Sequence, residues 1–220
     1  MLAKLRVGVL ASGRGSNLQS LIDQSLAGKI DAQIVLVASN KADAGALDKA
    51  REAGIATRVL DHRNFGSREE FDGAMVAALR EAGVELVLLA GFMRLLSPVF
   101  LDAFPQRIMN IHPALLPAFP GLNVQRQALE YGARFSGCTV HFVDGGLDTG
   151  PIIIQAAVPI LENDTEESLA ARILVEEHRI YPRAVQLFAE KRLRIEGRRV
   201  RIEPEADPVE SALVNPALAE

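Results

Sequence analysis

Buried-strand patterns alternate with helix patterns along most of this sequence, and the connections between them are short. Continuous apolar runs, typical of strands covered on both faces, occur at Leu5–Ala11, Gln33–Ser39 and Glu85–Ala90. Helix patterns lie between them and end at glycines such as Gly54 and Gly83. Such alternation is typical of a mostly parallel sheet with helices on both faces. We therefore predict a doubly wound α/β fold.

The alternation changes after Gly137. Two predicted strands, Cys138–Val143 and Ile152–Ile160, are joined by the loop Asp144–Gly150, which is too short for a crossover helix. The two strands must therefore pair antiparallel or diverge, which predicts an antiparallel strand near the C-terminal part of the sheet. A long helix is predicted from about residue 165 to residue 190.

This long helix has a start signal and an interruption. Asp164 is the expected N-cap, and Glu167 follows three residues later as in a capping box. Pro182 is expected to kink or divide the helix. We expect residues 1–202 to form a single domain, and residues 203–220, rich in Pro, Ala and Glu, to form a C-terminal tail that lies on the body or is partly mobile.

Composition argues against several functions. The formal net charge is −4, and the one basic stretch, Lys191–Arg201, alternates with apolar residues as in a strand hairpin, so we expect no nucleic-acid binding. The single cysteine, Cys138, and four scattered histidines make a metal site unexpected. The longest apolar run, Leu86–Met93, is too short to span a bilayer. Lys4 and Arg6 interrupt any signal-peptide core, so we expect a cytoplasmic protein without membrane contact.

A Gly-rich segment, Ser12–Asn17 (SGRGSN), lies between the first predicted strand and the first helix. Backbone N–H groups at a helix N-terminus favour an anion, and glycines let a ligand approach closely. The segment is neither a P-loop nor a dinucleotide fingerprint, because it lacks Gly-Lys-Ser/Thr and Leu18 stands where the fingerprint has glycine. A phosphate site and a plain strand-to-helix turn both remain open.

Polar side chains also cluster around the end of a predicted strand, Arg107–Ile111. Asn110 and His112 are two positions apart, so both point to the same side of an extended chain. A carboxamide and an imidazole together can polarise a carbonyl and move a proton. An aspartate of the turn 144–150 can orient such a histidine and favour its charged form. Taken alone, a histidine next to a proline is more often structural, and an aspartate in a Gly-rich turn usually serves only the turn.

In this order and spacing, the motifs resemble the glycinamide ribonucleotide formyltransferase family over about residues 5–190. Six segments carry the resemblance: GRGSNLQSLID at 13–23, SNKADAGALDKAREAGI at 39–55, LAGFMRLLSP at 89–98, NIHPALLPAFPGLN at 110–123, GCTVHFVDGGLDTGPII at 137–153 and EEHRIYP at 176–182. The middle motifs occur across folate-dependent formyltransferases and hydrolases. The GSN loop and EEHRIYP are more specific to the ribonucleotide enzymes.

The resemblance implies the formyltransferase version of the doubly wound fold and three groups of site residues. The catalytic group is Asn110, His112 and Asp148, so that Asp148 and not Asp144 is the catalytic aspartate. The group that binds glycinamide ribonucleotide is Gly15, Ser16 and Asn17 at the phosphate and Glu177 at the ribose. The folate group is Arg68 at the glutamate tail, with Met93, Arg94, Leu95, Leu96 and Asp144 at the pteridine.

The resemblance also implies the reaction, a step of purine synthesis. The amine of glycinamide ribonucleotide attacks the formyl carbon of 10-formyltetrahydrofolate, a co-substrate, and no metal is required. Partners are then small molecules, and we expect a monomer or a homodimer. Three positions depart from the family pattern: Gln125 replaces a usual histidine, Ala114 a usual serine, and Leu174 a polar or basic residue near the ribonucleotide site.

Three alternatives remain open. A formyltetrahydrofolate hydrolase shares the Asn-x-His and Asp arrangement but is expected to carry an N-terminal regulatory domain, whereas the predicted sheet starts here at residue 5. A methionyl-tRNA formyltransferase is expected to carry a C-terminal RNA-binding domain, for which the residues after Glu190 are too few. In a nucleotide- or folate-binding module, the Asn, His and Asp would be only structural. Turnover separates that module from the enzymes.

Overall fold

The computed structural model describes residues 4–204, 213 and 215. Its strands are β1 (Leu5–Leu10), β2 (Ala32–Ser39), β3 (Ala56–Val59), β4 (Leu86–Leu89), β5 (Ile108–His112), β6 (Phe135–Phe142), β7 (Ile152–Pro159), β8 (Leu193–Glu196) and β9 (Arg199–Ile202). Its helices are α1 (Ser16–Leu26), α2 (Gly45–Glu52), α3 (Arg68–Glu81), α4 (Pro98–Ala103), α5 (Val124–Tyr131) and α6 (Glu166–Ala189).

The described strands form one mixed sheet in the order β3-β2-β1-β4-β5-β6-β7-β9-β8. The five strands from β3 to β5 run parallel. β6 pairs antiparallel with both β5 and β7. The doubly wound sheet and its antiparallel addition are therefore confirmed. The predicted basic hairpin is also present, because β8 and β9 pair antiparallel and β9 meets β7 at the sheet edge.

Helices cover both faces of the sheet over two apolar clusters. One cluster contains residues of α1, α2 and α6, including Leu18 and Tyr181, and the other contains residues of α3 and α4, including Phe71 and Phe100. Full burial of one such apolar side chain stabilises the fold by about 1.5–3 kcal/mol. The Tyr181 hydroxyl also lies 3.0 Å from the Leu89 carbonyl oxygen and 3.1 Å from that of Met109, to which it donates. This contact fixes α6 to β4 and β5.

The start of α6 differs from the sequence prediction. Thr165, not Asp164, is the N-cap, and its hydroxyl accepts from the Ser168 N–H while the Ser168 hydroxyl accepts from the Thr165 N–H. Asp164 instead forms two hydrogen bonds with the Arg172 guanidinium, at 2.7 and 2.8 Å. That charge pair holds Asp164 outside the cap position. The helix is also not divided, since it continues through Pro182.

Three short elements were absent from the sequence prediction: α4, α5 and a 3-10 turn at His62–Asn64. Each is eight residues or shorter, too short for a clear helical period. Most of the predicted tail lies outside the described residues, and its division from the domain stays a prediction. Asn215 is described, and its side-chain amide donates to the carbonyls of Arg134 and Ile160. Among the described residues, no helix is long and apolar enough to cross a membrane.

Candidate active site

The candidate site lies where β5 ends beside the loop that joins β6 to β7. Asn110 and His112 both belong to β5, the former half-buried and the latter 4% exposed. Antiparallel pairing sets His141 of β6 opposite Asn110, and Thr139 opposite His112. Two of the scattered histidines of the sequence therefore meet at one place.

Both ring nitrogens of His112 have polar neighbours. Its Nε2 lies 2.9 Å from the carbonyl oxygen of Phe119, which can only accept, so Nε2 carries a proton. Its Nδ1 lies 3.4 Å from the Asp148 carboxylate. The Asp148 carboxylate thus lies close to one nitrogen of the ring while the Phe119 carbonyl accepts from the other. Asp148 is itself fixed by the Gly121 N–H, which donates to it over 2.9 Å.

His141 is a site residue that the sequence motifs did not single out. Its Nδ1 donates to the Phe142 carbonyl over 2.8 Å, so its Nε2 is the acceptor and lies 3.3 Å from the Asn110 amide nitrogen. Burial lowers the pKa of His141 below its usual value, which keeps the ring neutral near pH 7. The ring therefore orients the amide of Asn110. The available signal was a histidine between two apolar residues, Val140 and Phe142, in a predicted strand.

The two aspartates of the turn have different surroundings. Asp148 adopts a left-handed backbone, with φ of 53°, and its carboxylate faces His112 and, at 3.8 Å, His141. Asp144 is exposed, and its carboxylate accepts from the Gly146 N–H and the Thr149 hydroxyl. Only Asp148 is placed to act on the imidazoles. Asp144 stabilises the turn, and its contact with folate stays a prediction.

The predicted folate residues lie on three segments, one of which is the turn with Asp144 described above. Met93 and Leu95 are exposed apolar side chains, 64% and 55% accessible, which suit a planar heterocycle. Between them, the Arg94 guanidinium lies 5.1 Å from the centroid of the Phe71 ring, a cation–π contact that anchors the segment. Leu96 packs against the α3 and α4 cluster. Arg68 is exposed at the first turn of α3, where it can meet an anion.

The Gly-rich loop is connected to this segment through Ser12. The Ser12 hydroxyl donates to the Asn40 side-chain oxygen over 2.7 Å and accepts from the Met93 N–H over 3.1 Å. Helix α1 begins at Ser16, within the Gly-rich segment, and its N-cap, Gly15, makes no side-chain hydrogen bond. The first backbone N–H groups of α1 are therefore not capped by a side chain and are available to an anion, while a phosphate site here stays a prediction.

The structure shows a packing requirement for glycine at position 15 that the sequence did not reveal. Its φ is +76°, and an added Cβ would stand 2.7 Å from Ala46 Cα in α2. The close approach made possible by this glycine is therefore to α2. A role of Gly15 beside a phosphate stays a prediction that a side-chain substitution cannot test cleanly, because any side chain would disturb the packing first.

Asn17 and Glu177 form a pair at the start of α1. The Asn17 amide nitrogen donates to a Glu177 carboxylate oxygen over 2.7 Å. Glu177 is only 6% exposed, and this burial raises the pKa of its carboxyl, an effect that the Asn17 hydrogen bond opposes. A buried carboxylate beside a helix N-terminus is suited to accept hydrogen bonds from ligand hydroxyls. The side chain of Asn17 thus supports Glu177.

Other chemistry has little support in the described part of the chain. There, no group of three or more His, Cys, Asp or Glu side chains is placed to hold a metal ion. Cys138 is fully buried, and this burial raises its thiol pKa to about 12, so the thiol is unreactive.

Comparisons with known proteins identify the family of this chain. A family model described as formyl transferase matches residues 5–185. Phosphoribosylglycinamide formyltransferase of Escherichia coli is 47% identical over 87% of this chain and 90% of its own length. The structure of glycinamide ribonucleotide transformylase 1 from Symbiobacterium toebii matches with a TM-score of 0.90 and 56% identity, over 92% of this chain and 95% of that one.

Longer relatives match as well. The trifunctional purine biosynthetic protein adenosine-3 of Drosophila pseudoobscura is 54% identical over 86% of this chain, which spans only 14% of that protein's length. These matches confirm the resemblance that the sequence motifs indicated.

Proposed function

Since the chain belongs to the formyl transferase family, we propose that it transfers the formyl group of 10-formyltetrahydrofolate to the amine of glycinamide ribonucleotide, a step of de novo purine synthesis. One observation carries the proposal: Asn110, His112 and Asp148 converge at the end of β5, with the His112 ring held between the Asp148 carboxylate and the Phe119 carbonyl. This arrangement supplies a hydrogen-bond donor, a positive charge and a general base side by side.

The transfer is direct. The amine nitrogen attacks the formyl carbon, a C–N bond forms, and the carbonyl oxygen becomes an oxyanion of a tetrahedral intermediate. Asn110 donates through the amide proton that is not engaged with His141, and the His112 imidazolium supplies positive charge next to the oxyanion. Asp148 stabilises that imidazolium and takes part, through water, in moving the proton of the attacking amine. The bond from carbon to N10 then breaks, and N10 takes a proton.

Binding is divided between two sets of residues. The N-terminus of α1, with Gly15, Ser16 and Asn17, binds the phosphate of glycinamide ribonucleotide, and Glu177 accepts from its ribose hydroxyls. The folate lies on the other side, with its pteridine at Met93–Leu96 and its glutamate at Arg68. The folate is a co-substrate and no metal takes part. The protein acts in the cytoplasm on small molecules, as a monomer or a homodimer.

The proposal is tested by measuring folate absorbance with 10-formyltetrahydrofolate in the presence and absence of glycinamide ribonucleotide. Formation of tetrahydrofolate should require the acceptor and match the formylated product one for one. Equal deformylation without the acceptor would instead indicate a hydrolase. Binding of both ligands without product would indicate a binding module, in which the three residues are structural.

A further inference from the structure

Three side chains lie in a line across three strands beside the candidate site. Thr139 of β6 pairs with His112 of β5 on one side and with Gln155 of β7 on the other. Thr139 is fully buried, whereas Gln155 belongs to the exposed positions of β7. The amide of Gln155 nevertheless reaches inward, to Thr139 and to the segment that follows His112.

The Thr139 hydroxyl uses its full hydrogen-bonding capacity. It donates to the Ala114 carbonyl over 2.7 Å and accepts from the Leu116 N–H over 3.1 Å and from the Gln155 amide over 3.0 Å. The same amide nitrogen of Gln155 donates to the Leu116 carbonyl over 2.9 Å. Three of these four bonds end on the turn that directly follows β5, and two of them hold the backbone N–H and the carbonyl of Leu116.

This turn leads to the carbonyl that holds the His112 ring. Phe119 lies three residues beyond Leu116, and its carbonyl oxygen is the acceptor for His112 Nε2. A shift of the turn would move that acceptor and release the ring from its place beside Asp148. Displacement of a catalytic group by about 1 Å can cost as much as ~10² in rate, even where the change itself lies away from the chemistry.

We propose that Gln155 and Thr139 are positioning residues for the formyl transfer: together they hold the turn at 113–119 so that the Phe119 carbonyl fixes the ring of His112. The expected effect on the rate rests on the proposed function. The placement of the His112 ring rests on the hydrogen bonds alone. Neither side chain touches the reacting atoms.

The test compares Gln155→Leu and Thr139→Val, which remove the side-chain hydrogen bonds, with Thr139→Ser, which keeps the hydroxyl. In the first two variants kcat should fall about tenfold while KM for both substrates stays within about twofold, because binding residues are untouched. Thr139→Ser should restore kcat to within about twofold of the native protein. Circular dichroism spectra of each variant serve as the control that it is folded.

Nitrogen-15 NMR of the histidine side chains gives a readout independent of activity. In the native protein and in Thr139→Ser, the His112 Nε2–H should be protected from exchange with solvent. In Gln155→Leu it should lose that protection. A Gln155→Leu variant with native kcat and a protected Nε2–H would overturn the inference. So would an equal loss of kcat in Thr139→Ser. Failure of the native protein to transfer formyl groups would overturn the proposed function alone, while the NMR signal would still decide whether Gln155 positions the ring.

Discussion

Replacement of Glu177 by glutamine should make the protein more stable and less able to bind glycinamide ribonucleotide. Glu177 is almost fully buried, and this burial raises the pKa of its carboxyl, so the folded state carries a charge that it stabilises less well than water does. Glutamine keeps the shape and can still accept from the Asn17 amide. Removing the charge should therefore increase the free energy of unfolding at neutral pH.

The sign of the pH dependence follows from the direction of this shift. Above the raised pKa of Glu177, both folded and unfolded states are ionised and the full destabilisation is present. It disappears as the pH falls through that pKa towards the usual value of 4.5. The stability advantage of Glu177→Gln should thus be largest near neutral pH and shrink on acidification, which urea unfolding at several pH values would measure.

The loss of affinity can be worked out from the hydrogen bonds. One carboxylate oxygen of Glu177 is engaged by Asn17, which leaves the other for a ribose hydroxyl. A hydrogen bond to a charged group contributes about 1.5–3 kcal/mol and a neutral one about 0.5–1.5 kcal/mol. The difference of about 1–1.5 kcal/mol corresponds to a rise of roughly 5- to 13-fold in KM for glycinamide ribonucleotide.

A matched control lies one residue away. Glu176 pairs with Arg179 at the surface over 2.8 Å, and such pairs contribute about 0–1 kcal/mol, so Glu176→Gln should change neither stability nor KM appreciably. An unchanged acceptor KM in Glu177→Gln, or a loss of stability in place of a gain, would refute the reasoning about the buried carboxylate.

Three further predictions concern other parts of the site. Arg68→Ala should weaken the binding of a glutamylated folate by about 1–3 kcal/mol without changing KM for the acceptor. An equal loss of affinity for both substrates would mean that Arg68 supports the fold. Gly15→Ala should lower the free energy of unfolding by about 1–3 kcal/mol, because of the positive φ and the clash with Ala46. Gly13→Ala is the control, because its added Cβ meets nothing within 4 Å, and urea unfolding compares the two variants. Burial lowers the pKa of His141 below 6.5, so the unfolded state binds the proton first and stability should fall as the pH drops below 6.5, less so in His141→Gln.

The fold followed from the sequence wherever a buried strand or a long helix left a periodic pattern. The apolar runs at β1, β2 and β4 predict strands because both faces of these strands are covered. Strands covered on both faces consist mostly of apolar residues. The missed elements α4 and α5 have no such pattern. The cap of α6 was wrong because Asp164, a good N-cap by type, is engaged by Arg172, a contact that local sequence rules do not contain.

The site could be predicted only in part, and for a related reason. Asn110 and His112 share a side of one strand, which local sequence shows directly. Asp148 could be distinguished from Asp144 only by resemblance, because the two aspartates differ in which way the turn directs them. His141 lies opposite Asn110 through the β5–β6 register, and Gln155 reaches the same region through the β6–β7 register. Registers between strands arise from the whole sheet, so these residues were not accessible from spacing.

The most direct test of the catalytic assignment is kcat for Asp148→Asn beside Asp144→Asn. Asparagine keeps the shape of Asp148 but removes the charge that stabilises the His112 imidazolium. We expect kcat to fall by at least ~10², the size that follows from losing a positioned proton-transfer or oxyanion-stabilising group, while Asp144→Asn stays within about twofold. Native kcat in Asp148→Asn would contradict the account, and it would leave Asn110 and His112 without the charge on which the proposed transfer depends.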